Sequence, residues 1–393
     1  MSKEDTHLKK VLGAEQAELV EASVNLLVEK EAAKDFYSYP TGPATNAMHK
    51  MLTYGADDKG IEGMKRSIAA SHDTKLKLEK SKDEKQLRFI QETGNSSITL
   101  EITNIDKLVG SNKPAKKILP YTLIKANEQA LHNGELKRDS VVFSLNDLID
   151  IGLYQSPRTA RRGFKTAMDA LTSMKVKGEI KKGKRVTTQA GIEVLFTGAN
   201  IKRGTCTVYL NSRIDWTFIA AFYTILPKYY FKLSNRGADL LLCIFTIARM
   251  KKKEIAEKNG FTISMRKIQG FLNLPSEKGN REPSRTIKEP IEQAIEEIEE
   301  ASSTKDFMLT PMYDERGTIN EFLDKGYLKI DLKGKYAEYI TEIADREKKK
   351  IETAAKRKET IRQKAEVAKL AKAQTKKPKS ADDTKAAASS KTK

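Results

Sequence analysis

The sequence is poor in the residues that hold metals and form redox centres. Only two of its 393 residues are cysteine and only four are histidine. Cys206 and Cys243 lie far apart, so there is no CxxC motif, and the scattered histidines form no pair with metal-ligand spacing. We interpret the cysteines as buried thiols of a reducing compartment. We therefore expect no disulfide, no metal and no cofactor.

Long apolar runs are also absent. The longest, Trp216–Leu226 and Ala238–Ala248, fall short of the roughly 18 residues that a membrane span requires. The first residues, MSKEDTHLKK, lack the apolar core of a secretory signal. With 39% hydrophobic residues the chain can still bury real cores. These features predict a cytoplasmic globular protein with no membrane partner.

The motifs of common enzymes are missing too. The stretch GEIKKGKR, residues Gly178–Arg185, nearly matches the phosphate loop of nucleotide-binding proteins. Arg185, however, stands where that loop needs a Ser or Thr to bind Mg²⁺, and the stretch follows a helical pattern rather than a strand. No nucleophile elbow or zinc-hydrolase motif occurs. We therefore predict that the protein is not an enzyme.

What the sequence does have is positive charge, concentrated in two places. The formal net charge is +19, and Arg158–Arg185 holds ten basic residues against two acidic ones. Asp345–Lys393 holds 17 basic residues against 7 acidic ones, and we predict a helix over Ile343–Leu370 followed by a disordered tail. This distribution favours a polyanionic partner. Nucleic acid is preferred over an anionic membrane because the tail lacks aromatic anchors.

The first basic segment overlaps a helix-turn-helix pattern. Ser144 has the spacing of an N-cap with a capping box, and Ser156 with Pro157 begins a second helix. Gly152 permits the turn between the two helices. The second helix repeats apolar residues at i, i+3, i+4 and i+7, which predicts a buried stripe. The stripe consists of Phe164, Ala167, Met168 and Leu171.

Basic side chains occupy another face of this second helix. Arg158, Arg161 and Arg162 lie in its first turns, and Lys165 follows. Arg can donate two hydrogen bonds to a guanine or clamp a phosphate, so this face suits the major groove of DNA. A solvated basic face on an ordinary helical hairpin is the alternative.

Basic β-hairpins follow the helix. Lys181–Arg185, KKGKR, forms a basic turn, and two β-rich segments, Val194–Thr197 and Cys206–Leu210, flank the stretch GANIKRGT. A helix-turn-helix followed by a β-hairpin with basic tips is a winged helix, whose tips contact the DNA backbone. The predicted tip residues are Lys181, Lys182, Lys184, Arg185, Lys202 and Arg203.

The same order of features recurs further along the chain. Ser264 repeats Ser144 at an offset of 120, and Arg285 repeats Arg158 at an offset of 127. Upstream, Leu233–Arg249 predicts an apolar helix that opens at a Ser-Asn pair. We therefore predict two winged helices in tandem.

The second copy is acidic where the first is basic. Its second helix carries six glutamates from Glu289 to Glu300, and Pro290 requires that the helix kink or begin there. Only the start of this helix is basic, and we predict that both helix starts read bases. Contact with protein is the alternative for the second copy. The predicted DNA-binding residues of this start are Arg281, Arg285 and Lys288.

The first 110 residues carry weaker signals. Gln16–Lys34 predicts a helix, and Asp35–Thr45 predicts a loop because Pro and Gly interrupt it. Leu87–Ile90 and Ser97–Ile102 predict two strands around a turn. We expect a small α+β extension of the first winged helix.

From Val208 to about Asp314 the sequence resembles the initiator proteins of iteron-type plasmids. The matching stretches are FYTILPKYYFKLSNRGADLLLCIFTIAR, ISMRKIQGFLNLP and RTIKEPIEQAIEEIEEASSTKDF. The resemblance implies two winged helices that bind direct repeats at a replication origin, open the adjacent duplex and recruit host helicase. It also implies a dimeric form that represses its own promoter. The acidic second helix, the long N-terminal segment and the basic tail depart from the family pattern.

Together these features predict an α+β protein of four parts. Residues 1–112 form the N-terminal extension, 113–215 the first winged helix, 216–344 the second and 345–393 the basic tail. The predicted function is that of a plasmid or mobile-element replication initiator bound to double-stranded origin repeats. Host helicase and a second copy of the chain are its further predicted partners. Two alternatives stay open: a winged-helix regulator of transcription or partition, and an interaction protein whose basic face binds an acidic partner.

Overall fold

A computed structural model describes residues 36–54, 75–80, 87–93, 96–102, 112–132, 139–182, 185–213, 222–302 and 307–334, with a few isolated positions beyond them. The chain divides into two compact units, Met1–Ile340 and Thr341–Lys393. All elements named below belong to the first unit, which combines helices and strands in the predicted α+β class. The predicted helix Gln16–Lys34 lies outside the described residues, as does nearly all of the predicted helix Ile343–Leu370.

The helices follow one another in chain order as α1 (Pro43–Tyr54), α2 (Asn112–His132), α3 (Leu145–Asp150), α4 (Pro157–Leu171), α5 (Asn235–Met250), α6 (Lys252–Lys258), α7 (Met265–Phe271), α8 (Glu289–Ser302) and α9 (Ile319–Lys325). A 3-10 turn, Lys228–Phe231, precedes α5, and a π-helical turn, Ser284–Lys288, precedes α8. The strands are β1 (Phe36–Thr41), β2 (Lys75–Lys80), β3 (Leu87–Thr93), β4 (Ser96–Ile102), β5 (Ser140–Ser144), β6 (Met174–Lys182), β7 (Arg185–Val194), β8 (Phe196–Lys202), β9 (Thr205–Leu210), β10 (Phe222–Pro227), β11 (Gly260–Ser264), β12 (Phe307–Met312) and β13 (Tyr327–Leu332).

The strands pair in antiparallel sheets. Their orders are β1-β10, β2-β3-β4-β6-β7, β5-β9-β8 and β11-β13-β12. The two three-stranded sheets belong to two repeats of one element order. The first repeat consists of β5, α3, α4, β8 and β9, with β6 and β7 inserted before β8. The second consists of β11, α7, α8, β12 and β13, with α9 inserted before β13. The last strand lies in the middle of the sheet in both repeats.

Equivalent backbone hydrogen bonds hold the two repeats. Leu145 N donates to Gly204 O over 2.8 Å in the first repeat, and Met265 N donates to Gly326 O over 3.0 Å in the second. Each bond ties the start of the first helix to the residue that precedes the last strand. The order of features that recurs in the sequence therefore recurs in the backbone.

Local capping explains where the helices begin. Ser144 caps α3 with a capping box, and Ser156 caps α4 with Pro157 at its first position, as the sequence predicts. Ser234 caps α5 through its side chain. Pro290 does not begin the acidic helix, because the helical backbone is continuous from Pro283. The π-helical turn Ser284–Lys288 lies directly before Pro290, and there Glu289 N donates to Ser284 O, five residues back, in place of the α-helical bond.

The prediction that Asp35–Thr45 forms a loop is wrong. It contains β1 and the start of α1. Among the described strands β1 pairs with β10 alone, and an edge strand tolerates Pro40 because not every backbone N–H is needed there. Pro43 stands at the first position of α1, where proline is favoured. The predicted strands Leu87–Ile90 and Ser97–Ile102 are confirmed as parts of β3 and β4.

Two described strands of the N-terminal segment pair with strands that lie further along the chain. β4 pairs with β6, and β1 pairs with β10, so strands from both sides of the predicted boundary at residue 112 share sheets. The predicted basic turn Lys181–Arg185 joins β6 to β7 in the five-stranded sheet, whereas Lys202 and Arg203 lie at the end of the separate β8–β9 hairpin. The structure therefore divides the predicted wing residues between two hairpins.

A buried ionic cluster connects the helices that support the two repeats. Lys116 of α2 pairs with Asp239 of α5, and their side chains are only 10% and 6% exposed. Thr53 of α1 donates to Asp239 over 3.5 Å. Lys117 donates to backbone carbonyls ahead of α5, including that of Phe231 at 3.0 Å. Because α2 packs on α4 and α5 packs on α8, this cluster links the first repeat to the second.

His49 of α1 is buried near this cluster. Neither ring nitrogen has a hydrogen-bond partner among the described residues. Burial, with the charge of Lys116, lowers the pKa of His49 to about 3. The unfolded chain binds the proton near pH 6.5 and so holds more protons than the folded chain below that pH. The free energy of unfolding should therefore fall by up to about 1.4 kcal/mol per pH unit as the pH drops from about 6.5 towards 3.

Urea unfolding at a series of pH values from about 7.5 down to 4 measures this slope. His49→Phe removes the proton site and should flatten the dependence on pH, whatever it does to stability at neutral pH. Equal slopes in the two proteins would contradict a buried neutral imidazole at this position.

Gln129 of α2 covers the outer edge of the first repeat's sheet. Its amide nitrogen donates to the backbone oxygen of Val142 in β5, and its amide oxygen accepts from the backbone nitrogen of the same residue over 3.1 Å. Unpaired backbone groups at a sheet edge are the ones that another strand would bind. The backbone groups at the middle of β5 are therefore already hydrogen-bonded to a side chain of the same chain.

Candidate nucleic-acid interface

The apolar side of α4 fixes the basic face of the first repeat. Phe164 is buried and packs edge-on against Phe143 of β5, with the ring centroids 5.7 Å apart. Gly163 lets Tyr154 approach so closely that a Cβ atom there would overlap its hydroxyl. Burial raises the pKa of Tyr154 to about 12, so it packs as a neutral ring. The predicted buried stripe is confirmed and comprises Phe164, Ala167, Met168 and Leu171.

The basic residues predicted on the other face of α4 are all exposed. Within the described part of the chain, none of them forms an ion pair with a carboxylate. Binding a polyanion here would break no salt bridge between described residues, so the attraction is not offset by the loss of such a pair. These residues are Arg158, Arg161, Arg162 and Lys165.

The tip of the β8–β9 hairpin brings another arginine to this region. Arg203 and Gly204 have φ angles of 51° and 85°, so both residues of the turn are left-handed. Asn, Asp or Gly adopts this conformation more readily than Arg. Gly204 O accepts the hydrogen bond from Leu145 N, which fixes the tip against the start of α3. The hairpin therefore holds the Arg203 backbone in place despite its unfavourable conformation.

A cleft of about 410 Å³ opens between this tip and the starts of the two helices. Arg158, Arg161 and Arg203 line it. Guanidinium groups bind phosphate through charge-assisted hydrogen bonds, and the N-terminal end of α4 adds the positive end of the helix dipole. The cleft is therefore suited to a phosphate-bearing strand. Its other lining residues are Ser144, Leu145, Asn146, Pro157, Gly204 and Thr205.

The remaining residues of the predicted wing are only partly described. Lys202 is exposed and pairs with Thr205 at the end of the hairpin. Lys184 lies outside the described residues, and so do the side chains of Lys181, Lys182 and Arg185. Their contact with DNA stays a prediction.

The basic residues predicted in the second repeat have different surroundings. Arg281 is exposed in the loop before the π-helical turn. Arg285 is 75% exposed, and its Nη1 lies 3.4 Å from Oε2 of Glu282. Lys288 is 23% exposed, and its Nζ lies 4.8 Å from the centroid of the Tyr313 ring. Two of these three cations therefore have partners within the protein.

Sequence reasoning does not single out two polar residues of the cleft, Asn146 and Thr205. Neither belongs to a charge cluster or a motif. Each follows a residue of the backbone bond that ties the hairpin to α3, Leu145 or Gly204. Only the pairing of the hairpin with α3 brings them together, and the sequence carries no direct signal of it.

Other kinds of site find no support in the described part of the chain. It contains no group of three or more side chains that could hold a metal. It also contains no helix that is both long and apolar enough to cross a membrane. Cys206 and Cys243 are free and buried, and burial raises the pKa of each thiol to about 12. They are therefore poor nucleophiles.

Comparison with known proteins yields distant structural similarity alone. No protein-family model and no curated protein matches the chain. A crystal structure of selenomethionine derivatives of domains 2 and 3 of RctB is similar with a TM-score of 0.38 and 9% identity, over 64% of this chain and 92% of that one. Another crystal structure of RctB domains 2 and 3 gives 0.35 and 7%, over 68% and 94%. At these TM-scores the similarity assigns no function.

Proposed function

We propose that this chain is a replication initiator that binds duplex DNA through the first of two winged helices. The proposal rests on the cleft in which Arg158, Arg161 and Arg203 converge between α4 and a hairpin tip. In a winged helix the second helix enters the major groove, and the hairpin follows the sugar-phosphate backbone. A cationic cleft between these two elements is where the backbone would pass.

The winged-helix assignment is supported by the order of elements. Each repeat has a strand, two helices and a hairpin, and the last strand pairs with the first. This pairing brings the hairpin tip beside the start of the first helix, as the bond from Leu145 N to Gly204 O illustrates. The same relation in the second repeat supports two winged helices in tandem.

The basic residues of the first repeat fall into two groups by position. Arg161 of α4 and Arg203 of the hairpin come from different walls of the cleft, and we assign them to backbone phosphates. Arg162 and Lys165 are exposed on α4 outside the cleft lining, and we assign them to base edges. Arg158 lines the cleft but lies at the start of α4, where a recognition helix meets base edges, so we assign it to a base edge as well.

The initiator role is supported by the resemblance of the stretch Val208 to about Asp314 to iteron-type plasmid initiators. That resemblance adds repeated origin sites, host helicase and a second copy of the chain as partners. Footprinting the DNA that flanks the protein's own gene separates an initiator from a regulator. An array of protected repeats supports the initiator, whereas a single protected operator supports a regulator of transcription or partition.

Arg161→Ala combined with Arg203→Asn tests the cleft directly. Asn suits the left-handed turn and removes the exposed guanidinium, so the thermal unfolding midpoint should not fall. The dependence of log affinity on log salt should become shallower by roughly two, one for each lost phosphate contact. Fluorescence anisotropy with a labelled duplex at several salt concentrations measures this slope.

Lys258→Ala serves as the matched control, because Lys258 is an exposed lysine at the end of α6 and does not line the cleft. Its salt dependence should equal that of the unaltered protein. A double variant that also keeps the original slope would show that the cleft holds no phosphate. That outcome would favour the alternative in which an acidic protein binds the basic face.

A further inference from the structure

The second repeat places an ion pair where the first repeat has its open cleft. Arg266 follows the first residue of α7, as Asn146 follows the first residue of α3. Its Nε lies 2.6 Å from Oδ1 of Asp324 in α9, and its Nη1 lies 3.1 Å from Oε1 of Glu277. The bond to Asp324 enhances the basicity of Arg266, raising its pKa. The helix start and the hairpin segment are thus bridged by charge.

The hairpin segment that supplies Asp324 is a fixed part of the fold. Two residues join β8 to β9, but the link between β12 and β13 contains α9. Thr318 and Glu321 form a capping box at the start of α9. Phe322 and Leu323 are buried, so α9 is anchored by its apolar side. The pairing with Arg266 therefore does not depend on a mobile loop.

The basic residue Lys288, just before α8, also has partners within the protein. Lys288 corresponds to Arg161 by the offset of 127, and its ammonium lies near the rings of Tyr313 and Phe322, at 4.8 and 5.9 Å from their centroids. Glu292 lies 3.9 Å from Lys288 and accepts a hydrogen bond from the Tyr313 hydroxyl. In the first repeat the position of Glu292 is occupied by a lysine.

The hairpin tip of the second repeat also lacks a basic residue that the first repeat has. The last pair of the first hairpin is Lys202 with Thr205, whereas the last pair of the second is Met312 with Tyr327. Both residues of the second pair are exposed large apolar side chains. Met312, whose side chain cannot bind phosphate, thus stands where the first repeat has Lys202, which is predicted to bind DNA.

We infer that the second repeat is closed to DNA by its own carboxylates and that sequence preference resides in the first repeat alone. This inference rests on the proposed DNA-binding function. Asp324 and Glu277 contact Arg266, and Glu292 lies near Lys288, in the positions that DNA phosphates would take at these two cations. A phosphate at Arg266 would compete with two carboxylates that already neutralise this cation, so contact there gains little. The prediction that Arg285 and Lys288 read bases is the competing outcome.

Selecting bound duplexes from a pool of randomised sequences distinguishes the closed second repeat from a second repeat that reads bases. Arg158→Ala should lose about 5- to 150-fold in discrimination at the base pairs it reads. Arg285→Ala is the matched variant at the equivalent position, and it should leave the selected sequence unchanged and the affinity within about twofold, as for an exposed ion pair. If Arg285→Ala instead relaxes preference at base pairs about one helical turn away, the second repeat reads DNA and the inference fails.

A variant that gains a DNA contact tests the inference in a second way. Asp324→Asn keeps the shape of the side chain and removes the charge that occupies Arg266, so the salt slope should steepen by about one as this cation becomes available to a phosphate. Asp331→Asn is the charge-matched control, because Asp331 pairs with Lys329 at 2.8 Å within β13, outside α9. It should leave the slope unchanged. Equal effects of the two substitutions would show only a change in net charge and would overturn the inference.

These outcomes also distinguish the inference from the function on which it rests. If the unaltered chain selects no duplex sequence, the proposed function itself is wrong. If it selects a sequence and Arg285→Ala changes that sequence, DNA binding stands and only the closed second repeat is rejected.

Discussion

The affinity of the chain for duplex DNA is expected to fall about 10³–10⁵-fold when the salt concentration rises from roughly 50 to 200 mM. Such a fall corresponds to about 6–10 neutralised phosphates, each of which releases counterions when a cation binds it. The ten basic residues predicted to bind DNA between Arg158 and Arg203 are enough for this number. Equilibrium binding of a labelled duplex at five or more salt concentrations, roughly evenly spaced on a log scale, gives the slope.

A chain that ends at Ala344 provides the control for the tail. It lacks the 17 basic and 7 acidic residues of Asp345–Lys393, so its affinity should be lower at every salt concentration while its preference among sites persists. A nearly flat salt dependence of the full chain would contradict an electrostatic interface. An acidic protein partner would then explain the basic face better than DNA does.

Lys116→Met is expected to destabilise the fold by about 3–5 kcal/mol. The substitution leaves the Asp239 carboxylate buried without its cation, and burial already raises the pKa of that group. The double variant Lys116→Met with Asp239→Leu should recover most of the loss, because a buried pair can be replaced by apolar side chains at little net cost. Urea unfolding followed by circular dichroism measures the free energies.

Lys125→Met is a matched control on the same helix. Lys125 pairs with Glu128 at 2.7 Å, but the two side chains are 28% and 43% exposed. Water screens this pair, so its loss should change the free energy of unfolding by only about 0–1 kcal/mol. Equal effects of the two substitutions would mean that the Lys116 pair is solvated, contrary to its burial in the structure.

Features that depend on neighbouring residues could be predicted from the sequence. The caps Ser144, Ser156 and Ser234 act on backbone groups within one turn. The buried stripe of α4 and the exposed arginines opposite it follow from one helical period. These features define the helix that carries most of the candidate interface.

Features that depend on distant pairing could not be predicted. β1 forms a strand only because β10, far along the chain, pairs with it, and Pro40 made a loop the simpler interpretation. Arg203 meets Arg161 only through the pairing of β9 with β5. The bond between Arg266 and Asp324 spans 58 positions, and nothing local distinguishes those residues from other surface charges.

The buried pair of Lys116 and Asp239 is weakly indicated in the sequence, although not by hydrophobic periodicity. Lys116 stands two residues before the apolar run ILPYTLI of α2, and Asp239 interrupts the apolar run of α5. Opposite charges within two apolar helices are suggestive, because burying either one alone would be very costly. The sequence nevertheless does not say which helices pack together, so the partner could not be assigned.

The amide of Gln129 bears on how copies of the protein could crowd on DNA. Neighbouring copies on an array of repeats would be held at effective concentrations far above that of the free protein. Open strand edges at such concentrations invite one chain to extend the sheet of the next, which is how aggregates begin. Because Gln129 already occupies the backbone groups of Val142, the β5 edge offers no template there. Copies bound side by side on DNA would therefore not pair their β5 strands into a continuous sheet at this position.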